Sequence, residues 1–166
     1  MIINSLGNKK VIEFSKLSKK KYREQNSEYL IIGMNAIGEA KNIKCEITTN
    51  SDYKSKNEIM LVNEEVMEKI TGQKPAPTNA AIVRINTSEF SKGSVIVLDE
   101  IQDPGNAGTI LRTADAMGIS AIITSPDSVD MFSPKVVRST AGSIWHIPVY
   151  EGVAFSRVDK QFPGIQ

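Results

Sequence analysis

The chain is poor in the residues that carry most metal and redox chemistry. It holds one cysteine, Cys45, and one histidine, His146, in 166 residues. One of each excludes an internal disulfide framework and a Cys/His metal cluster, so no metal is expected, and the near-absence of thiols points to a reducing cytoplasm. No apolar run approaches the roughly 18 residues that a membrane span needs, and residues 1–6 are too short an apolar stretch for a signal peptide, so no membrane partner is expected. Excess charge is missing too. The formal net charge is +1, so overall charge does not announce nucleic acid.

What is present is a 40% hydrophobic composition, enough for the core of one domain or two small ones, and a strongly uneven charge distribution. Lys9, Lys10, Lys16, Lys19, Lys20, Lys21 and Arg23 crowd into residues 9–23 with Glu13 as the acid among them. Val11, Phe14 and Leu17 give this segment a partial apolar face at helical spacing, which predicts a basic amphipathic helix. From pattern alone a solvated face and a phosphate-binding face fit equally well. Strands are expected at 29–32, 43–48, 59–62 and 80–85, and helices at 34–40 and 64–70, the latter capped by Asn63. Residues 49–57 read as a loop and 72–79 as a proline turn. This alternation describes an α/β domain over residues 1–86, with Cys45 as a small buried hydrophobe in a strand. Polar residues 87–93 read as a linker to a second domain, 94–166.

The second half is organised around residues 95–124. An apolar strand ends at Asp99, the turn Asp103-Pro104-Gly105-Asn106-Ala107-Gly108 follows, and a helix leads to a further strand at 121–123. Ala107, Ile110, Leu111, Ala114 and Met117 form one stripe of that helix, and Gly118 is the expected left-handed stop. Asp103 or Asn106 can cap the helix, while Gly105 and Gly108 let another backbone or a phosphate come close. Such a strand-helix-strand crossover implies a parallel sheet. Arg112 lies nearly opposite the stripe, so packing does not explain it; for an isolated helix the default is a solvated residue paired with Asp115. A second short helix is expected at 132–140, with Ser133 as cap and Pro134 in its first position, placing Lys135 and Arg138 on one face. A strand follows at 147–149. His146, beside Trp145, reads as a packed or hydrogen-bonded residue with no catalytic role.

The pattern Asp103-Pro104-x-Asn106-x-Gly108-x-x-x-Arg112-Thr113-Ala114-x-Ala116-x-Gly118 resembles the first signature motif of the SpoU (TrmH-like) RNA 2′-O-ribose methyltransferases, members of the knotted SPOUT class. Ser133-Pro134-Lys135-Val136-Val137-Arg138-Ser139-x-x-Gly142-Ser143, then Ile147-Pro148-Val149, is similar to the family's next stretch. Two ordered blocks argue for the resemblance where one glycine-rich turn would not. The order of elements in residues 1–86 looks like the family's RNA substrate-binding domain, which is akin to ribosomal proteins. Ile32-Gly33 stands where many members have Glu-Gly, and Asn79 where many have glycine.

The resemblance implies transfer of a methyl group from S-adenosylmethionine to a ribose 2′-hydroxyl of rRNA or tRNA. Arg112 would be the central catalytic residue, activating the hydroxyl near a phosphate and across a homodimer interface, and Asn106 would position turn and substrate. Lys10, Lys19, Lys20, Lys21, Arg23, Lys135 and Arg138 become the candidate RNA contacts. The family's later motifs, a Gly-Glu-Gly loop and an Ile-Pro-Met … Ser-Leu-Asn-Val segment, do not occur in these residues; Ile147-Pro148-Val149 is not the latter, because no Ser-Leu-Asn follows. The expectation is therefore a shortened chain: the N-terminal part of a SPOUT parallel-sheet domain without the knot or its cofactor site, and with some apolar surface exposed. A non-catalytic RNA-binding or dimerisation module is the alternative. A nucleotide-binding α/β protein fits less well, because the turn's spacing matches neither the dinucleotide fingerprint nor the P-loop.

Overall fold

The structure, a computed structural model, describes residues 2–85, 90 and 92–165, so most of the linker expected at 87–93 lies outside the described residues. The chain forms two compact units that meet in sequence between Ile85 and Asn86.

The first unit begins with helices α1 (Lys9–Lys16) and α2 (Lys20–Asn26). It continues through β1 (Glu28–Ile32), α3 (Met34–Glu39), β2 (Ile43–Thr48), β3 (Ile59–Leu61), α4 (Glu64–Thr71) and β4 (Asn79–Arg84). Its sheet has the order β1-β4-β2-β3, with β4 antiparallel to both β1 and β2, and β3 parallel to β2. Val11, Phe14 and Leu17 are buried as their spacing predicts, in one core with Val66, Met67 and Ile70 of α4 and with Ile47, Cys45 and Ile82 of the sheet. Burial pushes the Cys45 thiol up to about 11, which keeps it unreactive. Asn63 caps α4 by accepting from the Val66 amide at 2.9 Å.

The single basic helix expected over 9–23 is two helices, broken at Leu17–Lys19. Ser15 and Ser18 donate back to the Ile12 and Ser15 carbonyls, competing with the helical ladder. Arg23 then donates to the Leu17 carbonyl, so the break is held from inside the unit.

The second unit runs β5 (Val95–Leu98), α5 (Pro104–Ala116), β6 (Ala121–Thr124), α6 (Pro134–Ser139), β7 (Val149–Tyr150) and α7 (Val158–Gln161), with short 3-10 turns at Ser143–Trp145 and Phe155–Arg157. The sheet β5-β6-β7 is parallel throughout, as the crossover requires. Ile123, Val158 and Phe162 form a buried cluster, in which the Tyr150 and Phe162 rings meet edge to face at 4.9 Å. Helix α5 ends in a Schellman motif: the Ile119 amide reaches the Ala114 carbonyl and the Gly118 amide the Asp115 carbonyl, both at 3.0 Å, with Gly118 at φ +71°.

The apolar stripe of α5 is shorter than expected. Ala107, Gly108, Leu111 and Ala114 are buried, whereas Met117 is 73% exposed. Met117 is the helix's C-cap, where the chain is already leaving helical geometry, so the 100° projection no longer applies. Among the described residues of this unit, Met117 and Phe155 are the exposed large apolar side chains.

Candidate active site

In open parallel sheets, ligands bind beyond the carboxyl ends of the strands. In the second unit those ends lead into the turn before α5 and the loop before α6. The two are tied together: Gln102 donates through its side-chain amide to the Asp127 carbonyl at 2.6 Å, and the Val129 amide to the Ile101 carbonyl at 2.6 Å. Asp103 is the N-cap of α5, accepting from the Asn106 amide at 2.7 Å, and Pro104 occupies the first turn, where no amide donor is needed. Ser133 caps α6 in the same manner, again with proline next.

The two glycines of the turn part company. Gly105 is exposed and its added Cβ would meet only the Asp103 carboxylate, at 3.1 Å. Gly108 is buried against α6: a Cβ there would lie 2.0 Å from Ser139 Oγ and 2.7 Å from the Ser139 carbonyl carbon. The close approach it permits is thus to the protein's own backbone, not to a phosphate. Ser139 completes the contact by donating to the Pro104 carbonyl at 2.9 Å and the Val136 carbonyl at 2.7 Å.

Arg112 is exposed on the outer face of α5 and makes no ion pair or hydrogen bond among the described residues. Its default partner is taken. Asp115 Oδ2 lies 2.9 Å from His146 Nδ1, with the imidazole half exposed. His146 is therefore hydrogen-bonded, as its neighbourhood suggested, but to a carboxylate three residues beyond Arg112. Sequence reading missed this pair because 31 residues separate its members. Asn106 is also exposed. Six residues of helix place it about 9 Å along the axis from Arg112 and about 120° around it, so the two do not converge on one point within one chain. Lys135 and Arg138 are exposed together on α6.

Within the first unit, Lys19, Lys20 and Lys21 are exposed, with Lys20 3.8 Å from Glu24. Lys10 is engaged: its ammonium lies 2.7 Å from Glu58, and that hydrogen bond raises the Lys10 pKa and lowers that of Glu58. Arg23 corrects the expectation. It is only 5% exposed and spends its guanidinium on the Leu17 carbonyl, so it braces the α1–α2 junction and offers no charge to RNA.

A nucleoside cofactor needs backbone that lets it come close. Among the described glycines of the second unit, Gly105, Gly118 and Gly152 leave such backbone open, whereas Gly93 and Gly108 are filled by Ser120 and Ser139.

Residues 93–164 match the SpoU rRNA Methylase family. The 23S rRNA (guanosine(2553)-2'-O)-methyltransferase RlmP of Bacillus subtilis is 32% identical over 168 residues, covering 95% of this chain and 68% of RlmP. The chain belongs to the SpoU family. Among solved structures, the AdoMet-bound rRNA methyltransferase of Sinorhizobium meliloti superposes with a TM-score of 0.75 at 28% identity, over 97% of this chain and 68% of that one. The putative TrmH-family RNA methyltransferase of Porphyromonas gingivalis gives a TM-score of 0.76 at 26% identity, over 94% and 66%. Both neighbours thus match this chain across its mixed α/β first unit and its parallel second unit.

Proposed function

We propose that the protein serves RNA 2′-O-methylation, with ribosomal RNA as the substrate class and S-adenosylmethionine as methyl donor. The observation that carries this reading is Arg112, a solvent-facing guanidinium whose i+3 carboxylate, Asp115, is engaged by His146. Methylating a ribose hydroxyl requires a weak nucleophile to be oriented and relieved of its proton. A guanidinium stays protonated, so Arg112 acts by holding the adjoining phosphate and the 2′-oxygen in place, not as a base. The electrophilic methyl group is what the cofactor supplies when bound.

Because Asn106 and Arg112 of one chain do not converge, the reading includes a homodimer in which the two are contributed to one site by different copies. Sedimentation of the protein with RNA tests that part. The reading includes a cytoplasmic location.

The decisive experiment incubates the protein with ribosomal RNA fragments and labelled S-adenosylmethionine, then maps ribose methylation by mass spectrometry. Methyl groups on a 2′-oxygen support the reading. RNA binding without label transfer supports a second reading, an RNA-binding module, which the exposed Lys19–Lys21 cluster favours.

A further inference from the structure

The α1–α2 pair does more than present charge. Between the two helices lies a groove of about 300 Å³, walled by Ile12 and Tyr22, by the side-chain amides of Gln25 and Asn26, and by Lys9 and Lys16. Glu13, the acid on its wall, is engaged by Lys44 at 3.8 Å. The volume lies at the small end of ligand sites, room for a single planar group and not for a folded partner. Gln25 and Asn26 are exposed, and their amides make no hydrogen bond among the described residues.

These walls match the parts of one nucleotide. An aromatic face with an aliphatic edge suits a base, and stacking tolerates any sequence because every base has a π face. Amides both donate and accept, as the edges of an unpaired base require. Ammonium groups suit phosphate; Lys16 Nζ stands over the Tyr22 ring at 5.4 Å from its centroid, so a stacking base takes that face in its place and the flexible ammonium swings aside to the phosphate. Duplex RNA cannot use such a groove, since its bases are stacked on one another.

We propose that this groove receives one unpaired nucleotide of an RNA strand, its base against Tyr22 and Ile12, its edge toward Gln25 and Asn26, and its phosphate at Lys9 and Lys16. The proposal rests on RNA being the substrate class and deepens it: the first unit selects a splayed, single-stranded position.

The test measures fluorescence anisotropy of labelled short single-stranded RNA with the 166-residue chain. A backbone-matched abasic strand is run beside it, and circular dichroism checks the fold of each variant. Tyr22→Ala is expected to weaken binding about tenfold and Tyr22→Phe to restore it, because the ring and not the hydroxyl does the stacking. The abasic strand should bind the wild type about tenfold more weakly than intact RNA, and should bind Tyr22→Ala no more weakly than intact RNA does. Should Tyr22→Ala lose its fold, the abasic strand on wild-type protein carries the same comparison. Equal binding of intact and abasic RNA by the wild type overturns the groove and leaves the methylation reading standing. Failure to bind any RNA overturns both. An acidic peptide competing as well as RNA overturns the assignment to a nucleotide.

Discussion

Arg112 owes its availability to a neighbour. Asp115 is the carboxylate its helix would ordinarily offer it at i+3, and His146 holds that carboxylate instead. An exposed side chain without a partner contributes little to stability, so Arg112→Ala should change the unfolding free energy by less than about 0.5 kcal/mol. The same variant should abolish methyl transfer in the assay above; a large drop in melting temperature with activity kept would return the residue to a structural role. Gly108 is the opposite kind of residue. A methyl group there collides with the backbone of Ser139 as well as its hydroxyl, and the hydroxyl is pinned by two carbonyls. Gly108→Ala should therefore destabilise by about 1–3 kcal/mol, read as a lowered midpoint in urea with an unchanged slope.

At the scale of elements, the loop joining β2 to β3 hangs on one buried acid that sequence pattern did not single out. Glu46 is 2% exposed and accepts from the Ser55 hydroxyl at 2.8 Å, the Asn57 amide at 2.6 Å and the Tyr53 hydroxyl. Burial alone would raise its pKa, but the three hydrogen bonds together outweigh it and hold the carboxyl below its usual 4.5. The bond to Glu46, followed by burial, pushes the Tyr53 phenol up to about 12 from 10.0. A depressed acid stabilises fully above its unfolded pKa and loses that contribution as pH falls through the folded value; a raised phenol stabilises fully below its unfolded pKa and loses it as pH rises. The clasp should thus be intact between about pH 5 and 10 and weaken on both sides. Glu46→Gln should flatten the acid limb of a stability-against-pH profile relative to the wild type, and an unaltered limb would mean the acid contributes nothing there.

Helix α5 shows why some elements can be read from sequence and others cannot. Its start is written locally, in Asp103 and Pro104, and its end in Gly118. Cap chemistry depends on neighbours a few residues away, so boundaries of that kind are legible. The Asp115–His146 and Lys10–Glu58 pairs depend on residues that the fold brings together. The run of basic side chains at 9–23 reads as one surface only until Arg23 turns inward and Lys10 finds Glu58 across 48 residues.

For the molecule as a whole, the formal charge of +1 hides where the charge lies. Lys19, Lys20 and Lys21 stand exposed at the start of α2, and counterion release makes their contribution measurable. Replacing all three by glutamine should reduce the slope of log affinity against log salt by about 2 for single-stranded RNA. A slope unchanged from wild type would place the phosphates elsewhere. The approximate positions of most strands and the parallel pairing in the second unit were legible from hydrophobic pattern and from the two motif blocks, whereas the order of the first sheet was not, and Asn106 and Arg112 share a motif without sharing a point in space.

The missing methyl at position 108 has a mechanical result. With α5 and α6 touching backbone to backbone, neither helix can slide along the other. Any movement of Arg112 with its helix must therefore carry Lys135 and Arg138 along as one rigid piece, which fixes the spacing of the backbone positions that bear these three cations.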